Sequence, residues 1–387
     1  MFCFFISGEE KEVSPGSCLW EIPLSGENKG FCFDRLSEEP AQDPAITVGD
    51  YYTAACQFLS GNDFLILKTG LAAVLDKAVL TDQIRRIIVS LEKHGAFYHP
   101  LKVQVALSDN STCYFVLNGA VSRPGLNLIE KEYQLLASLN KTHLKHYLPP
   151  VFGVDVIKTD TGRVGFFLGE WFDGYKEFHV TRDKSKSQVV IWESDGRCHY
   201  ISQTKALPIY HEISRILTYY YDIETFEQIF PWHHAAGDFV VKKEDDKVHV
   251  RLITVRGYSS LTEFGAQGED SKIYILPSLL IFFLTLTLRI RLDRLNGTGK
   301  TMLLGEKIVT AAVEGFFIGL DEKTPAYDYG NLKMIFIEFF KQFDVKQVAE
   351  LLENILATGS FAPSELLVIQ ENLESHGKIL DSIFKTL

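Results

Sequence analysis

The order of hydrophobic patterns between residues 101 and 172 limits the possible folds most. The segments LKVQVAL and CYFVLNG, joined at Asp109-Asn110-Ser111, have the alternation and turn of a β-hairpin. Residues 128–139 then repeat apolar side chains at helical spacing, and the strand-like segments PPVFGVDVIKT and RVGFFLGEWF follow. This order of two strands, one helix and two strands predicts a small antiparallel sheet with one helix packed on it.

The segments before this region have other patterns. Residues 1–45 are rich in Gly, Pro, Ser and Glu and indicate short strands with weak periodicity. Within residues 81–94, the apolar side chains Ile84, Ile87, Ile88 and Leu91 fall at helical spacing. The basic residues before Gly95 are typical of a helix C-terminus, so we predict a helix that ends there.

The second half of the chain is expected to be mainly helical. It contains a predicted hairpin over residues 187–202, a helix over 208–221 and a further hairpin within 231–258. Residues 275–288 are predicted to form a buried core helix, and Asp344 with Gln347 forms a capping box. We predict an α+β protein in three parts, namely an N-terminal mixed α/β extension (1–95), a sheet-rich small lobe (96–178) and a helical large lobe (179–387).

The net charge argues against nucleic acid as a partner. The chain has 39 basic and 50 acidic residues, a formal charge of −11. Such a surface repels phosphate backbones unless a local basic patch compensates. The one short basic run, at residues 182–186, is typical of a solvated loop.

Cysteine spacing and apolar run length predict a soluble cytoplasmic protein. The six cysteines are scattered, without a CxxC pair or Cys/His ligand spacing, so we expect neither a disulfide framework nor a structural zinc site. The apolar run near the N-terminus lacks a basic segment before it, and we expect no signal peptide. Residues 275–288 fall short of the ~20 residues that a membrane span needs. We therefore expect no membrane association.

From residue 96 to about 290, the chain resembles the protein-kinase-like fold in its aminoglycoside and choline phosphotransferase branch. The helix after the first hairpin has Glu132 in its middle, and the segment EWFDGY, which begins at Glu170, resembles the hinge between two lobes. A helix and then Ala236-Gly237-Asp238, in place of the family's His-Gly-Asp, follow before a hairpin. The resemblance implies a two-lobed fold and phosphoryl transfer from ATP with Mg²⁺.

Several residues that this chemistry needs are replaced. Phosphoryl transfer uses a strand lysine held by the helix glutamate, a loop aspartate that orients the acceptor hydroxyl, and a hairpin aspartate that holds Mg²⁺. The resemblance places Asn118 at the lysine position, Glu132 as the helix acid and Asp238 as the loop acid. Thr254 falls near the metal position, where a threonine is a poor sole ligand for a divalent ion. Asn118, Glu132, Glu170 and Thr254 are thus the candidate cofactor-binding residues.

The strongest candidate for a functional site in the sequence is the segment Trp232-His233-His234 together with Asp238. Two histidines and a carboxylate can bind a transition metal or exchange protons near neutral pH. Adjacent strand residues point to opposite faces, so both rings reach one metal only on an irregular backbone. We therefore list His233, His234 and Asp238 as candidate catalytic residues and predict no metal site. A structural role with buried, hydrogen-bonded rings stays open.

The string NGTGKT at residues 296–301 is similar to a phosphate-binding loop but lacks the first glycine, because position 294 is Arg294. We interpret Gly297 and Gly299 as a helix C-cap and turn. Arg289 and Asp293, four residues apart, are expected to form a helix surface pair worth ~0.3 kcal/mol.

The sequence is therefore most consistent with a kinase-like protein that has lost or rebuilt its phosphotransfer site, a pseudokinase or an atypical binding protein for a small-molecule ligand. Two alternatives stay open. One is an active ATP-dependent phosphotransferase with an alcohol acceptor, in which Lys242 or Arg256 supplies the lost charge. The other is a structural or interaction protein with a vestigial cleft. The sequence does not indicate the oligomeric state.

Overall fold

A computed structural model describes most of the chain as two compact units, Met1–Gly174 and Tyr175–Leu387. The described residues are 1–8, 11–24, 46–92, 97–183, 186–193, 197–232, 234–245, 247–261, 272–323, 329–359 and 361–387. Helices and largely antiparallel sheets occur in both units, which agrees with the predicted α+β class.

The first unit is built on a six-stranded sheet in the order β1-β2-β3-β4-β6-β5. Its elements are β1 (Phe2–Ile6), α1 (Val48–Leu75), β2 (Ile84–Leu91), β3 (Leu101–Leu107), β4 (Thr112–Ala120), α2 (Arg123–Thr142), β5 (Val151–Lys158) and β6 (Arg163–Glu170). β1 pairs with β2 in parallel, and the other neighbours are antiparallel. The predicted order of two strands, one helix and two strands over residues 101–172 is confirmed.

The helix predicted over residues 81–94 is wrong, because this segment forms a short 3-10 turn followed by β2. An irregularity in the pairing between Ile84 and Arg86 puts Ile84 and Ile87 on the same buried face. The resulting three-residue spacing imitates a helix, whereas the β-branched side chains favour a strand paired on both edges. The expected helix end at residues 93–95 lies outside the described residues.

The two helices of the first unit pack on opposite faces of the sheet. The rings of Tyr51 and Phe58 from α1 lie 5.3 and 5.6 Å from the Phe166 ring of β6. Gly165, the neighbouring residue on β6, faces the other side, where a Cβ atom would approach Ile129 of α2 to 3.0 Å. Alternation along β6 thus covers both faces of the sheet with helices.

The predicted boundary between residues 95 and 96 falls inside the first unit. β1 and β2 belong to the same sheet as β3–β6, and one apolar core runs from Val13 to Leu168. The two units instead divide between Gly174 and Tyr175.

The second unit contains small sheets and, among the described residues, eight α-helices. Its strands are β7 (Phe178–Asp183), β8 (Lys186–Trp192), β9 (Cys198–Ser202), β10 (Glu227–Ile229), β11 (Phe239–Glu244), β12 (Lys247–Leu252), β13 (Tyr258–Ser260), β14 (Leu292–Arg294) and β15 (Thr301–Leu303). Its helices beyond α3 (Gln203–Tyr220) and α4 (Ala235–Asp238) are α5 (Ile275–Arg289), α6 (Lys307–Lys323), α7 (Leu332–Phe340), α8 (Val345–Thr358), α9 (Pro363–Gln370) and α10 (Leu373–Thr386).

Aromatic side chains fill the core between the late helices. The Phe283 ring of α5 lies within 6 Å of the rings of Phe316, Phe336, Phe340 and Phe384, which belong to three other helices, α6, α7 and α10. The predicted core helix over residues 275–288 and the capping box of Asp344 with Gln347 are both confirmed. α3 begins five residues before its predicted start, because Ser202 caps it and Pro208 lies inside the helix.

The structure corrects the interpretation of residues 289–301. α5 ends at Arg289, and Asp293 lies on β14, so the two residues do not form a helix pair. Asn296 and Gly297 have positive φ values of 54° and 79° in the turn that joins β14 to β15. The turn predicted at NGTGKT is therefore confirmed, as the turn of a β-hairpin, whereas the predicted helix C-cap is wrong.

Two helical stretches, Val48–Leu75 and Lys272–Arg289, are long and apolar enough by composition to cross a membrane. The second is largely buried inside its unit, as a core helix is. The first has non-helical backbone from Gly61 to Phe64, which splits it into two segments, each well short of the ~20 residues of a span.

Candidate functional site

Asp238 lies at the junction of α4 and β11, in the segment that the kinase resemblance indicated. Its backbone carbonyl accepts a hydrogen bond from Ile253 N at 2.9 Å, which ties the short helical turn to the end of β12. Its side chain is only 1% exposed, and Oδ1 lies 2.8 Å from Nη2 of Arg256. The candidate catalytic carboxylate is therefore buried and ion-paired.

His234, the N-cap residue of α4, bonds to a carboxylate from a distant part of the chain. Its Nε2 lies 2.8 Å from Oε1 of Glu365, which belongs to the first turn of α9. The second oxygen of Glu365 accepts a hydrogen bond from Ala362 N at 2.8 Å. Both side chains are buried, so this pair anchors α4 to α9. His233 lies outside the described residues.

A buried arginine balances the charge of Glu365. The guanidinium of Arg289, which is 3% exposed, lies 3.9 Å from the ring centre of Phe361 and 5.1 Å from that of Phe230. Burial lowers the pKa of Arg289 to about 10, against the opposing effect of Glu365, so the group stays positive at neutral pH.

Two sets of paired charges flank α4, Asp238 with Arg256 and His234 with Glu365 and Arg289, and we refer to them together as the buried charge cluster, in which Arg256 alone is partly exposed. Its two carboxylates are matched by two guanidinium groups, which is the condition under which buried charge is tolerated. The cluster holds α4 in place. It does not present Asp238 to solvent as a base.

The geometry gives little support to a metal centre built on His234 and Asp238. The two side chains engage different partners, Glu365 and Arg256. Within the described ranges, no group of three or more His, Cys, Asp or Glu side chains is placed to hold a metal ion.

Thr254 lies two residues after the end of β12, at the place where the resemblance expects the metal-binding aspartate. It is half-buried, in the connection that leads from the β11–β12 hairpin to β13. Lys242, on β11 of this hairpin, is engaged by its own neighbours, because its ammonium lies 2.6 Å from Glu244 Oε1 and 5.9 Å from the centre of the Tyr175 ring.

In the first unit, Asn118 and Glu132 border the same face of the sheet. Asn118 is opposite Phe167 in the β4–β6 register, so both side chains project to the α2 face. The Phe167 ring meets the Tyr98 ring edge-on at 6.1 Å, and the Tyr98 hydroxyl donates to Glu132 Oε2 at 2.7 Å. Glu132 is 1% exposed and is thus a buried, hydrogen-bonded acid in mid-helix.

Lys102 is a cation on this face that the sequence reasoning missed. It is opposite Val116 in the β3–β4 register, which places it on the same side as Asn118. Its ammonium lies 4.9 Å from the ring centre of Tyr114 and 5.0 Å from that of Trp171. The alternation in LKVQVAL, which puts the apolar residues on one face and Lys102 on the other, could have identified this lysine from the sequence.

Glu170 is the last residue of β6 and is half-buried. Its backbone N donates to Pro150 O at 2.9 Å, and Trp171 N donates to Tyr114 O at 3.3 Å. These bonds hold the start of the predicted hinge segment against β4 and the chain before β5.

The sequence reasoning also missed a His–Asp pair elsewhere in the second unit. Asp293 on β14 is 1% exposed and accepts hydrogen bonds from Val180 N at 2.6 Å and Arg294 N at 2.7 Å. His179 Nδ1 lies 2.9 Å from Asp293 Oδ1, and its ring faces Gly297. The pair joins β7 to β14, and only a long-range contact map could have revealed it.

The candidate site residues divide between the two units. Asn118, Glu132 and Glu170 lie in the first unit, whereas the described residues His234, Asp238 and Thr254 lie in the second. No family model matches the chain, and no curated protein matches it significantly. The geometry within each unit is therefore the basis for a functional proposal.

Proposed function

We propose that this chain is a kinase-like protein with a degenerate phosphotransfer site, a pseudokinase that binds a small ligand without ordinary transfer chemistry. The order of elements in the first unit supports this, because α2, with its buried Glu132, lies between the strand of Asn118 and the next hairpin. The second unit adds support through α3, the turn at Asp238 and the β11–β12 hairpin, in the order that the resemblance implies.

The replaced residues support the loss of transfer chemistry. An asparagine at position 118 supplies no positive charge to nucleotide phosphates, and removing one electrostatic donor from a phosphoryl or acyl transfer site costs about 10²–10³ in rate. Lys102 is on the same sheet face, but its ammonium packs against Tyr114 and Trp171.

The residues around Asp238 do not fit a Mg²⁺ ion. Magnesium prefers carboxylate oxygens and water, held in octahedral geometry. Asp238 has a guanidinium as its neighbour, and Thr254 takes the place of the second acid.

The buried ion pair of Asp238 with Arg256 is the observation on which the proposal depends most. A base that orients an acceptor hydroxyl must come within hydrogen-bond distance of that hydroxyl. Asp238 is almost wholly enclosed, and one of its oxygens is held by Arg256 at 2.8 Å.

The proposal is tested by nucleotide binding and turnover together. For the unaltered protein we expect no Mg²⁺-dependent release of ADP from ATP and weak ATP binding by calorimetry. Asn118→Lys restores a cation on the α2 face and is expected to tighten ATP binding by about tenfold, the effect of one charge-assisted hydrogen bond. Gln104→Lys, which adds the same charge to the same sheet face one strand away, is the matched control and should have little effect.

Mg²⁺-dependent phosphoryl transfer to an added alcohol, abolished by Asp238→Asn, would contradict the proposal. That result would instead favour an active phosphotransferase with a rebuilt site. Equal ATP affinity for Asn118→Lys and Gln104→Lys would count against the assignment of position 118.

A further inference from the structure

A groove on the second unit, away from Asp238, has the features of an anion-binding site. It encloses about 650 Å³ between α3, the N-terminal half of α6 and the start of β12. This is within the range of volumes of small-molecule sites, ~300–1,000 Å³. None of its lining residues belongs to the buried charge cluster.

Two closely packed helices form the walls of the groove. Leu207, His211 and Arg215 recur every four residues on one face of α3, and Lys307, Ala311 and Glu314 face them from α6. The helices approach most tightly beside the groove, where a Cβ on Gly315 would lie 2.1 Å from the carbonyl oxygen of His211. The backbones of the two helices therefore pack directly against each other along this wall.

The charges within the groove are unevenly compensated. Arg215 is neutralised by Glu212 at 2.9 Å and Glu322 at 2.6 Å. Lys247 and Lys307 form no ion pair within 4 Å with any carboxylate of the described residues, although both line the groove. Among the lining residues, three cations (Arg215, Lys247 and Lys307) stand against two carboxylates (Glu212 and Glu314), a formal excess of one positive charge on a chain of net charge −11.

Imidazole groups and an apolar floor complete the lining. His211 and His249 add ring nitrogens, and His211 Nδ1 bonds to Glu212 Oε1 at 3.1 Å. Leu207, Val248 and Ala311 contribute apolar surface beside them. Such a lining suits a ligand with one strongly anionic group and a compact apolar body.

We propose that this groove binds a small organic phosphate, with Lys247 and Lys307 facing the phosphate and the apolar floor contacting the organic part. Lysine interacts with phosphate as a point charge. Two lysines match the two negative charges of a phosphate dianion better than the single charge of a carboxylate. The proposal does not depend on phosphotransfer, because Asn118 and Asp238 take no part in it.

Phenyl phosphate is the direct test ligand, since it joins a flat apolar body to a dianion. We expect it to bind the full chain at millimolar concentration or below, with chemical-shift changes confined to groove residues. The double variant Lys247→Gln/Lys307→Gln should weaken binding at least about tenfold. Lys158→Gln/Lys346→Gln removes the same charge from exposed positions on β5 and α8 and should leave binding unchanged.

Inorganic phosphate and phenol separate the two parts of the ligand. Each is expected to bind more weakly than phenyl phosphate. Absence of phenyl phosphate binding at millimolar concentration would overturn the proposal, and so would equal affinity in the two double variants. Inorganic phosphate binding as tightly as phenyl phosphate would overturn the role of the apolar floor.

Discussion

The guanidinium of Arg256 lies 2.8 Å from the carboxylate of Asp238, an almost fully enclosed acid of the candidate site. Arg256 is itself about a quarter exposed, so solvent reaches the cation but scarcely reaches the anion. The pair therefore depends on the arginine to compensate a carboxylate that water cannot solvate.

Removing Arg256 should destabilise the protein by more than removing a surface cation. For Arg256→Gln we expect a loss of about 3 kcal/mol in the free energy of unfolding, because the buried carboxylate of Asp238 loses the guanidinium charge that compensates it. Urea denaturation measures it. Lys346→Gln, which breaks an exposed pair with Glu350 on α8, should cost less than about 0.5 kcal/mol. Equal losses would mean that Asp238 is solvated.

The buried ring of His376 predicts a pH dependence of stability. Arg291 Nη1 donates to its Nδ1 at 3.0 Å, so Nε2 carries the hydrogen and donates to Thr287 Oγ1 at 3.3 Å. Burial, aided by the charge of Arg291, lowers the pKa of His376 to about 3. Because the unfolded chain takes up a proton below about pH 6.5 and the folded chain does not, stability falls as the pH drops from about 6.5 towards 3.

His376→Gln keeps one donor and one acceptor but does not titrate. Between pH 7 and pH 5, titration of His376 should lower the free energy of unfolding of the unaltered protein by about 2 kcal/mol. His376→Gln should not show this loss. The exposed His199 provides the control His199→Gln, which should keep the full pH dependence. Parallel pH curves for His376→Gln and the unaltered protein would contradict the buried neutral ring.

The close approach of α3 and α6 at Gly315 predicts a large effect of one added methyl group. In Gly315→Ala the Cβ would meet the His211 carbonyl oxygen at 2.1 Å and Arg215 N at 3.1 Å, so two helix backbones must separate. We expect a net loss of about 2 kcal/mol, since the strain exceeds the helix propensity gain of about 1 kcal/mol.

Gly237→Ala is the matched control for this change. A Cβ at Gly237 meets no atom within 4 Å, and the residue lies in the one-turn helix α4. Its free energy of unfolding, measured by thermal and urea denaturation, should change by no more than about 0.5 kcal/mol. A similar loss at both glycines would disprove the tight crossing of α3 and α6.

Local patterns were sufficient for much of the first unit. The hairpin of β3 and β4, the helix with Glu132 and the pair β5 and β6 all follow from periodicity and turn residues. The segment 81–94 failed because one irregularity in strand pairing changed the spacing of its isoleucines. Such an irregularity is set by the partner strands, which the segment itself does not contain.

The partners of the candidate residues could not be predicted in the same way. Asp238 was identified from its local motif, but Glu365, which bonds to His234, lies 131 residues further along the chain. Asp293 is likewise 114 residues from His179. Pairs of this kind depend on how distant helices and strands pack, and no periodicity within either segment encodes them.

The parallel strand β1 has a consequence for solubility. Phe2–Ile6 covers the outer edge of β2, whose residues Ile84–Leu91 are mostly β-branched or apolar. Without β1, that edge would offer unpaired N–H and C=O groups to another chain, as aggregating strands do. β1 is itself short, and Val13 N bonds to the Phe4 carbonyl on it at 2.8 Å. The five-residue strand β1 thereby prevents intermolecular β-pairing at the edge of β2.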